Sequence, residues 1–260
     1  MHKIQFSHAN GLPSSTYSYL FDRLDNTEIT FVEKMGHADY PVEVGFERLA
    51  DELIASIEQN ATAPVVGMGH SAGGVVTLLA ASKRPELFSK LILLDPVFFS
   101  KRKRFALWLA RRMGLADSLS PVKRTLVRKN QFDHHQQASD YFSGKTLFKN
   151  FHPACFKDYI KHGLTPVGSQ QQGFELAFSR LIEADIFRSV ATKVPANRKQ
   201  LTGILIYGRK SDMFWASDAR WWQKNYPGFT IMPFDGGHLF PLEQPDEVGE
   251  MVNQYLKKRQ

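Results

Sequence analysis

Short apolar runs alternate with helical patterns along most of the chain, and this alternation restricts the fold more than any other feature. Six runs have the β-branched and apolar composition of buried strands: KIQFS (3–7), EITFVE (28–33), PVVGMG (64–69), KLILLD (90–95), TGILIYG (202–208) and FTIMPF (229–234). Runs with so little polar alternation are typical of strands that are buried on both faces. The sequence therefore predicts an α/β fold, with a mostly parallel sheet and helices on both of its faces.

The alternation is interrupted between Val97 and Leu201. This segment shows helical and loop patterns without a convincing strand, and strand–helix alternation resumes at Thr202. We therefore expect a core domain formed by residues 1–97 and 201–260. Residues 98–200 are expected to form a helical cap that is inserted after the fourth predicted strand.

Composition limits the class of protein. Of the 260 residues, 43% are hydrophobic and 23% are charged, which is typical of soluble globular proteins. The chain contains no apolar run long enough to span a membrane, and its N-terminus lacks the apolar segment of a secretory signal. Cys155 is the only cysteine, so neither an intrachain disulfide nor a thiolate metal site is expected. We expect a cytoplasmic protein that requires no metal or cofactor.

The positive charge is concentrated in one segment. Between Lys101 and Asn130, ten Lys and Arg residues face one acid, Asp117, so the overall charge of +7 leaves the rest of the chain slightly negative. A surface that binds nucleic acid is therefore not expected. Three interpretations of this segment remain open: a cap helix that holds an anionic group of the substrate, a helix that rests on anionic lipid, or a solvated charged face.

The stretch GMGHSAGGVV (67–76) predicts a nucleophilic serine. Gly69, Ser71 and Gly73 form a G-x-S-x-G pattern, preceded by a strand pattern and followed by a helical one. A serine in such a turn has strained backbone angles, and its neighbours two positions away must be almost free of side chain to avoid collision. We therefore expect the Ser71 hydroxyl to project from this turn.

A nucleophilic serine requires a base, and the base requires an acid that orients it. In this architecture the chain order is serine, acid, histidine. Among the histidines after Ser71, only His238 lies just beyond a predicted strand, so it is the expected base. Asp212 follows the penultimate strand and is the preferred acid, whereas Asp95, which also ends a strand, is the alternative.

The loop SHANGLPSS (7–15) follows the first strand and is expected to contribute to an oxyanion hole. One backbone N–H would come from this loop, with Asn10 as the best candidate and Ala9 as the next. The other would come from Ala72, the residue after the nucleophile.

Four motifs, SHANGLP, GHSAGG, YGRKSD and GGHLFPLEQPDEV, follow one another in the order found in a known family. The chain resembles the α/β-hydrolase superfamily, in particular its serine hydrolases with a helical lid, such as esterases and thioesterases. The resemblance implies that Ser71 is the nucleophile, Asp212 the acid and His238 the base, with Ala72 and Asn10 as oxyanion donors. Ala9 departs from the glycine usual at its position, and the first antiparallel hairpin of the family is expected to be missing.

The expected reaction is hydrolysis of an ester or thioester with an apolar acyl part, through an acyl-enzyme on Ser71. A small hydrophobic substrate, which would be anionic if the basic segment faces it, is expected to contact aromatic side chains at Phe98, Trp108, Phe214, Trp215 and Phe240. The same residues would also serve carbon–carbon bond hydrolysis or acyl transfer to an acceptor other than water. A ligand-binding protein that retains the fold without turnover is the alternative from another class.

Overall fold

Nine strands form two sheets in the computed structural model, which describes residues 1–118, 120–168 and 173–258. The strands are β1 (His2–Ser7), β2 (Thr27–Phe31), β3 (Val65–His70), β4 (Phe88–Leu94), β5 (Gln131–Phe132), β6 (Leu164–Pro166), β7 (Phe174–Leu176), β8 (Gly203–Gly208) and β9 (Phe229–Phe234). The larger sheet has the order β2-β1-β3-β4-β8-β9, and all of its pairings are parallel. The prediction of a mostly parallel sheet is confirmed, and each of its six strands overlaps one of the predicted runs.

Eleven α-helices accompany these strands in the described residues. They are α1 (Ser18–Phe21), α2 (Glu47–Asn60), α3 (Ala72–Lys83), α4 (Lys101–Arg112), α5 (Val122–Val127), α6 (His135–Ser143), α7 (Pro153–His162), α8 (Arg180–Arg188), α9 (Ala216–Asn225), α10 (Phe240–Glu243) and α11 (Pro245–Lys257). Short 3₁₀ helices lie at Ser14–Tyr17, Pro85–Leu87 and Thr146–Phe148. No helix in the described part of the chain is long and apolar enough to cross a membrane.

The helices pack on both faces of the large sheet, as the sequence predicts. Alternate residues of β4 divide between the two hydrophobic cores: Leu91 and Leu93 face α2, α3 and α9, whereas Ile92 and Leu94 face α1, α10 and α11. This alternation arises because successive side chains of a strand point to opposite faces. Both faces of the strand are therefore buried, which explains its continuous apolar run.

The segment between β4 and β8 is not purely helical. Helices α4 to α8 form most of its described part, but β5, β7 and β6 pair as an antiparallel sheet in that order. The prediction of a segment without strands was wrong here, because strands of two or three residues are too short to show an alternating pattern. Leu119 and residues 169–172 of the predicted cap lie outside the described residues.

Candidate active site

Ser71 occupies a sharp turn between β3 and α3. Its φ of 56° and ψ of −118° lie in a region that L residues rarely adopt. A Cβ at Gly73 would lie 2.2 Å from the Ser7 carbonyl oxygen, and a Cβ at Gly69 would lie 2.5 Å from the Gly73 carbonyl oxygen. The expected need for glycine on both sides of the serine is therefore confirmed by the backbone geometry.

A hydrogen-bonded relay extends from Ser71 through His238 to Asp95. His238 lies in the loop between β9 and α10, and its Nε2 is 2.9 Å from the Ser71 hydroxyl oxygen. Its Nδ1 is 2.6 Å from Oδ2 of Asp95, the residue that directly follows β4. Because the carboxylate accepts, Nδ1 carries the proton and Nε2 is left to accept from the Ser71 hydroxyl. The imidazole therefore has the tautomer that a general base needs.

Asp95 is held rigidly at the end of β4. Its side chain is fully buried, and Oδ1 accepts a 2.8 Å bond from the Gly208 backbone N–H. Oδ2 accepts a 2.6 Å bond from the Ser211 hydroxyl in addition to the bond from His238. The Asp95 backbone N–H donates to the Ile206 carbonyl oxygen at 2.7 Å, although φ is 43°. These contacts with β8 and the loop after it fix the orientation of the carboxylate.

The prediction that Asp212 is the acid was wrong, because the carboxylate that bonds His238 belongs to Asp95. Asp212 is exposed, and among the hydrogen bonds of the described residues its backbone oxygen accepts from Trp215, whereas its carboxylate does not bond His238. The neighbouring Ser211 turns its hydroxyl onto Asp95 instead. Because β4 and β8 are adjacent in the sheet, the loops after both strands reach the same edge, and spacing along the chain could not separate the two candidates.

Of the two expected oxyanion donors, Ala72 directly follows Ser71 in the chain, and Asn10 lies in the loop after β1. Ala72 is the first residue of α3, and Gly73 packs against the carbonyl oxygens of Ser7 and His8, which brings the loop after β1 next to this helix. Within the described chain, the backbone N–H groups of Asn10 and Ala72 have no acceptor, as donors toward a reacting oxygen require. The Asn10 side chain points elsewhere, since its Nδ2 donates to the Glu183 carbonyl oxygen of α8 at 2.9 Å.

A second buried chain of hydrogen bonds, which sequence reasoning missed, links the loop after β1 to His238. The Ala9 N–H donates to the Tyr17 hydroxyl at 3.3 Å, and that hydroxyl lies 2.7 Å from Nδ1 of His70. His70 Nε2 in turn donates to the His238 carbonyl oxygen at 2.9 Å. Burial, together with the neighbouring His238, lowers the pKa of His70 to about 3, so the ring stays neutral and its bonds keep their direction.

The five aromatic residues expected at the substrate do not form one cluster. Phe98, Phe214 and Phe240 are core residues with almost no exposed surface, and Phe240 stacks on Phe234. Trp108 lies on the outer face of α4 and is half exposed. Hydrophobicity alone does not distinguish an aromatic residue of the core from one that lines a pocket. For this reason the sequence alone assigned all five residues to the substrate pocket.

Trp215 lines a cavity of about 310 Å³ with residues of the inserted segment. Its lining is mainly apolar, including Phe99, Leu107 and Phe187, and neither Ser71 nor His238 belongs to it. Three cations also line the cavity, of which Lys103 pairs with Asp218 at 2.6 Å and Arg188 with Asp117 at 2.7 Å. The third, Arg111, donates to the Val190 carbonyl oxygen and forms no ion pair with a carboxylate in the described residues.

Comparison with known proteins agrees with the fold. The family model described as the alpha/beta hydrolase family matches residues 6–251. The chain belongs to this family and is an enzyme of the hydrolase class.

Individual relatives are distant. The peroxisomal membrane protein LPX1 of Saccharomyces cerevisiae is 23% identical over 290 aligned positions, which cover 96% of this chain and 74% of the relative. The solved structure of an E-2-(acetamidomethylene)succinate hydrolase has a TM-score of 0.75 at 19% identity, covering 99% of this chain and 91% of the other. An esterase structure from M. tuberculosis has a TM-score of 0.72 at 17% identity and covers 99% and 86% of the two chains. At these identities the structural likeness establishes the fold.

Proposed function

We propose that this protein is a serine hydrolase that cleaves an ester or thioester with an apolar acyl part. The observation that carries the proposal is the relay of Ser71, His238 and Asp95 on a strained turn, with distances of 2.9 and 2.6 Å. Ser71 attacks the carbonyl carbon while His238 Nε2 takes its proton and then passes that proton to the leaving group. Water, activated by the same imidazole, then hydrolyses the acyl-enzyme.

Each remaining residue has a defined task in this mechanism. Asp95 holds the imidazole in its working tautomer and stabilises the positive charge that develops on it. The N–H groups of Ala72 and Asn10 stabilise the negative charge on the carbonyl oxygen. Loss of one such donor costs about 10²–10³ in kcat in hydrolases of this kind.

The inserted segment 98–200 is proposed to act as a cap over this site. It leaves the sheet after β4 and returns before β8, so it starts at the edge where Asp95 and Ser71 lie. Its helix α8 holds Asn10 through the Glu183 carbonyl oxygen. In this proposal the substrate extends from Ser71 into the inserted segment, where the apolar cavity beside α4 holds its apolar part and Arg111 holds an anionic group.

Covalent labelling tests the proposed nucleophile. A fluorophosphonate probe should label the folded wild type at neutral pH, because an activated serine attacks its phosphorus atom. Ser71→Ala should abolish labelling, whereas Ser143→Ala, which removes an exposed hydroxyl on α6, should leave it unchanged. Wild type that is folded but unlabelled would refute the proposal that Ser71 is an activated nucleophile.

A substrate panel separates the chemistries that share these residues. Aryl esters, acyl thioesters and vinylogous diketones should be compared by kcat/KM. Each assay is repeated with increasing concentrations of an added alcohol, which competes with water as acceptor of the acyl group. Preference for the esters or thioesters with water as acceptor supports the proposal. Dominant cleavage of the diketones, or dominant transfer to the alcohol, would replace it with one of the two alternative reactions.

The outer face of α4 is proposed to rest on an anionic membrane surface, as a peripheral contact of an otherwise cytoplasmic protein. Phe105 and Trp108 are 61% and 47% exposed on this face, and Met113, which directly follows α4, is 62% exposed. Lys101 and Arg102 are exposed beside them. Exposed aromatic and apolar residues flanked by cations are typical of helices that lie in a membrane interface.

Vesicle co-sedimentation tests this contact. Vesicles that contain phosphatidylglycerol should retain the wild type more than phosphatidylcholine vesicles, and added salt should reduce the difference. Phe105→Ser combined with Trp108→Ser should release the protein, whereas Leu181→Ser, at an exposed apolar residue of α8, should not. Equal retention on both kinds of vesicle would leave α4 as a solvated face.

A further inference from the structure

Two arginines and a tyrosine from three different elements lie close together where α4 meets the core. Arg104 is on the inward face of α4, and its guanidinium carbon lies 4.6 Å from the centre of the Trp221 ring. The same ring is 5.9 Å from the ring of Tyr226, the residue that directly follows α9. Arg198 precedes β8, and the Leu201 carbonyl oxygen of the same segment packs against Gly228, two residues after Tyr226.

Each of the three side chains has a buried polar atom without a partner. Nη1 of Arg104, Nε of Arg198 and the hydroxyl of Tyr226 make no hydrogen bond to any described residue. Arg104 is only 9% exposed and Tyr226 is fully buried. Buried donors in folded proteins are almost always satisfied, so three orphan donors in one place indicate an acceptor from outside the chain.

The two arginines also lack a counter-charge. Neither forms an ion pair with a carboxylate in the described residues, in contrast to Lys103, which pairs with Asp218, and Arg128, which pairs with Glu183. Burial lowers the pKa of Arg104, and the charge of Arg198 lowers it further. A buried cation beside a like charge is costly unless an anion compensates it.

We propose that Arg104, Arg198 and Tyr226 form a binding site for a phosphate group. A phosphate carries a charge of about −1.5 to −2 at neutral pH, which offsets two guanidinium ions, and its oxygens accept from several directions. The planar guanidinium is well suited to such oxyanions. A carboxylate has one negative charge and two oxygens, so it satisfies this set of donors less completely.

The bound phosphate would join the inserted segment to the core. Arg104 and Arg198 belong to the two ends of the inserted segment, in α4 and just before β8, whereas Tyr226 follows α9 of the core. The site therefore differs in place and in chemistry from the relay at Ser71. The phosphate group comes either from a soluble molecule or from a lipid headgroup, and the binding chemistry is the same for both.

Isothermal titration with inorganic phosphate, at constant ionic strength set with chloride, tests the site. Wild type should bind about one phosphate saturably. Arg104→Gln and Arg198→Gln should each weaken binding at least about 10-fold, because each removes a charge-assisted hydrogen bond. Arg102→Gln, which removes an exposed charge from the same helix, should change the affinity less than about 2-fold.

Tyr226→Phe keeps the proposal testable if an arginine variant does not fold. It retains the ring that stacks on Trp222 and should weaken phosphate binding about 3- to 10-fold. Wild type that binds no phosphate above chloride would overturn the proposal. Unchanged affinity in both Arg198→Gln and Tyr226→Phe would overturn it as well.

Competition experiments distinguish the sources of the phosphate group. Displacement of inorganic phosphate by glycerol phosphate identifies a soluble phosphate monoester as the ligand class. Displacement by phosphatidic acid vesicles alone identifies a lipid headgroup. Both results support the site, whereas acetate that binds as tightly as phosphate would overturn the assignment of a phosphate group.

Discussion

Asp95→Asn is the substitution with the most specific consequence for the proposed mechanism. The introduced amide would have nearly the same shape as the carboxylate, so the packing of this buried position would be preserved. The amide oxygen can keep the bond from the Gly208 N–H, which leaves the amide nitrogen facing His238 and the Ser211 hydroxyl. That nitrogen is a donor, and it forces Nδ1 of His238 to accept.

The size of the effect follows from this change of tautomer. With Nδ1 accepting, the proton of the neutral imidazole moves to Nε2, which can then no longer accept from Ser71. In serine hydrolases this error lowers kcat about 10⁴-fold, equivalent to about 5.5 kcal/mol of transition-state stabilisation. The Ser211 hydroxyl can turn to satisfy the new amide, so the free energy of unfolding should fall by only about 1–2 kcal/mol.

The assay is steady-state hydrolysis of a p-nitrophenyl ester, with the folded fraction of each variant verified by circular dichroism. Asp212→Asn is the matched control, because it makes the same chemical change at an exposed position. It should alter kcat less than about 3-fold, as expected for a surface substitution. A large loss in Asp212→Asn together with a small loss in Asp95→Asn would refute the assignment of the acid.

Three further substitutions test buried positions of the fold. Gly73→Ala should destabilise the fold by more than about 3 kcal/mol in urea unfolding, because its Cβ would lie 2.2 Å from the Ser7 carbonyl oxygen; full stability would contradict this geometry. Burial raises the pKa of Glu52 to about 7, so its protonated form stabilises the fold below about pH 4.5, and this contribution is lost as pH rises through 7. The free energy of unfolding of Glu52→Gln, relative to that of wild type, should therefore rise by about 3 kcal/mol between pH 5 and pH 8. If the unfolding free energies of the two proteins change with pH in parallel, the pKa of Glu52 is not raised. Tyr17→Phe leaves Nδ1 of His70 without its donor and should cost about 1–3 kcal/mol of stability, with kcat falling more than KM changes.

The fold and the nucleophile could be predicted because their signals are local in the sequence. The apolar runs of β3, β4 and β8 reflect burial on both faces of each strand, and Gly69 and Gly73 reflect the crowding around Ser71. His238 could be located because it follows the last strand of a parallel sheet. In each case a short stretch of chain contains the physical constraint.

The acid and the pocket depend instead on contacts between distant segments. Asp95 is chosen over Asp212 because β4 lies beside β8 and the Ser211 hydroxyl turns toward Asp95, and spacing reveals neither fact. Burial of Phe98 against Trp222 is a contact across 124 positions, so the sequence could not separate this core residue from one in a pocket.

Trapping the acyl-enzyme tests the central claim most directly. The protein is mixed with an excess of p-nitrophenyl ester, quenched in acid within the first turnovers, digested and analysed by mass spectrometry. The proposed mechanism predicts one acyl group on the peptide that contains Ser71, and no adduct or burst of p-nitrophenol in Ser71→Ala. Turnover that continues undiminished in Ser71→Ala, or an acyl group on another peptide, would contradict it.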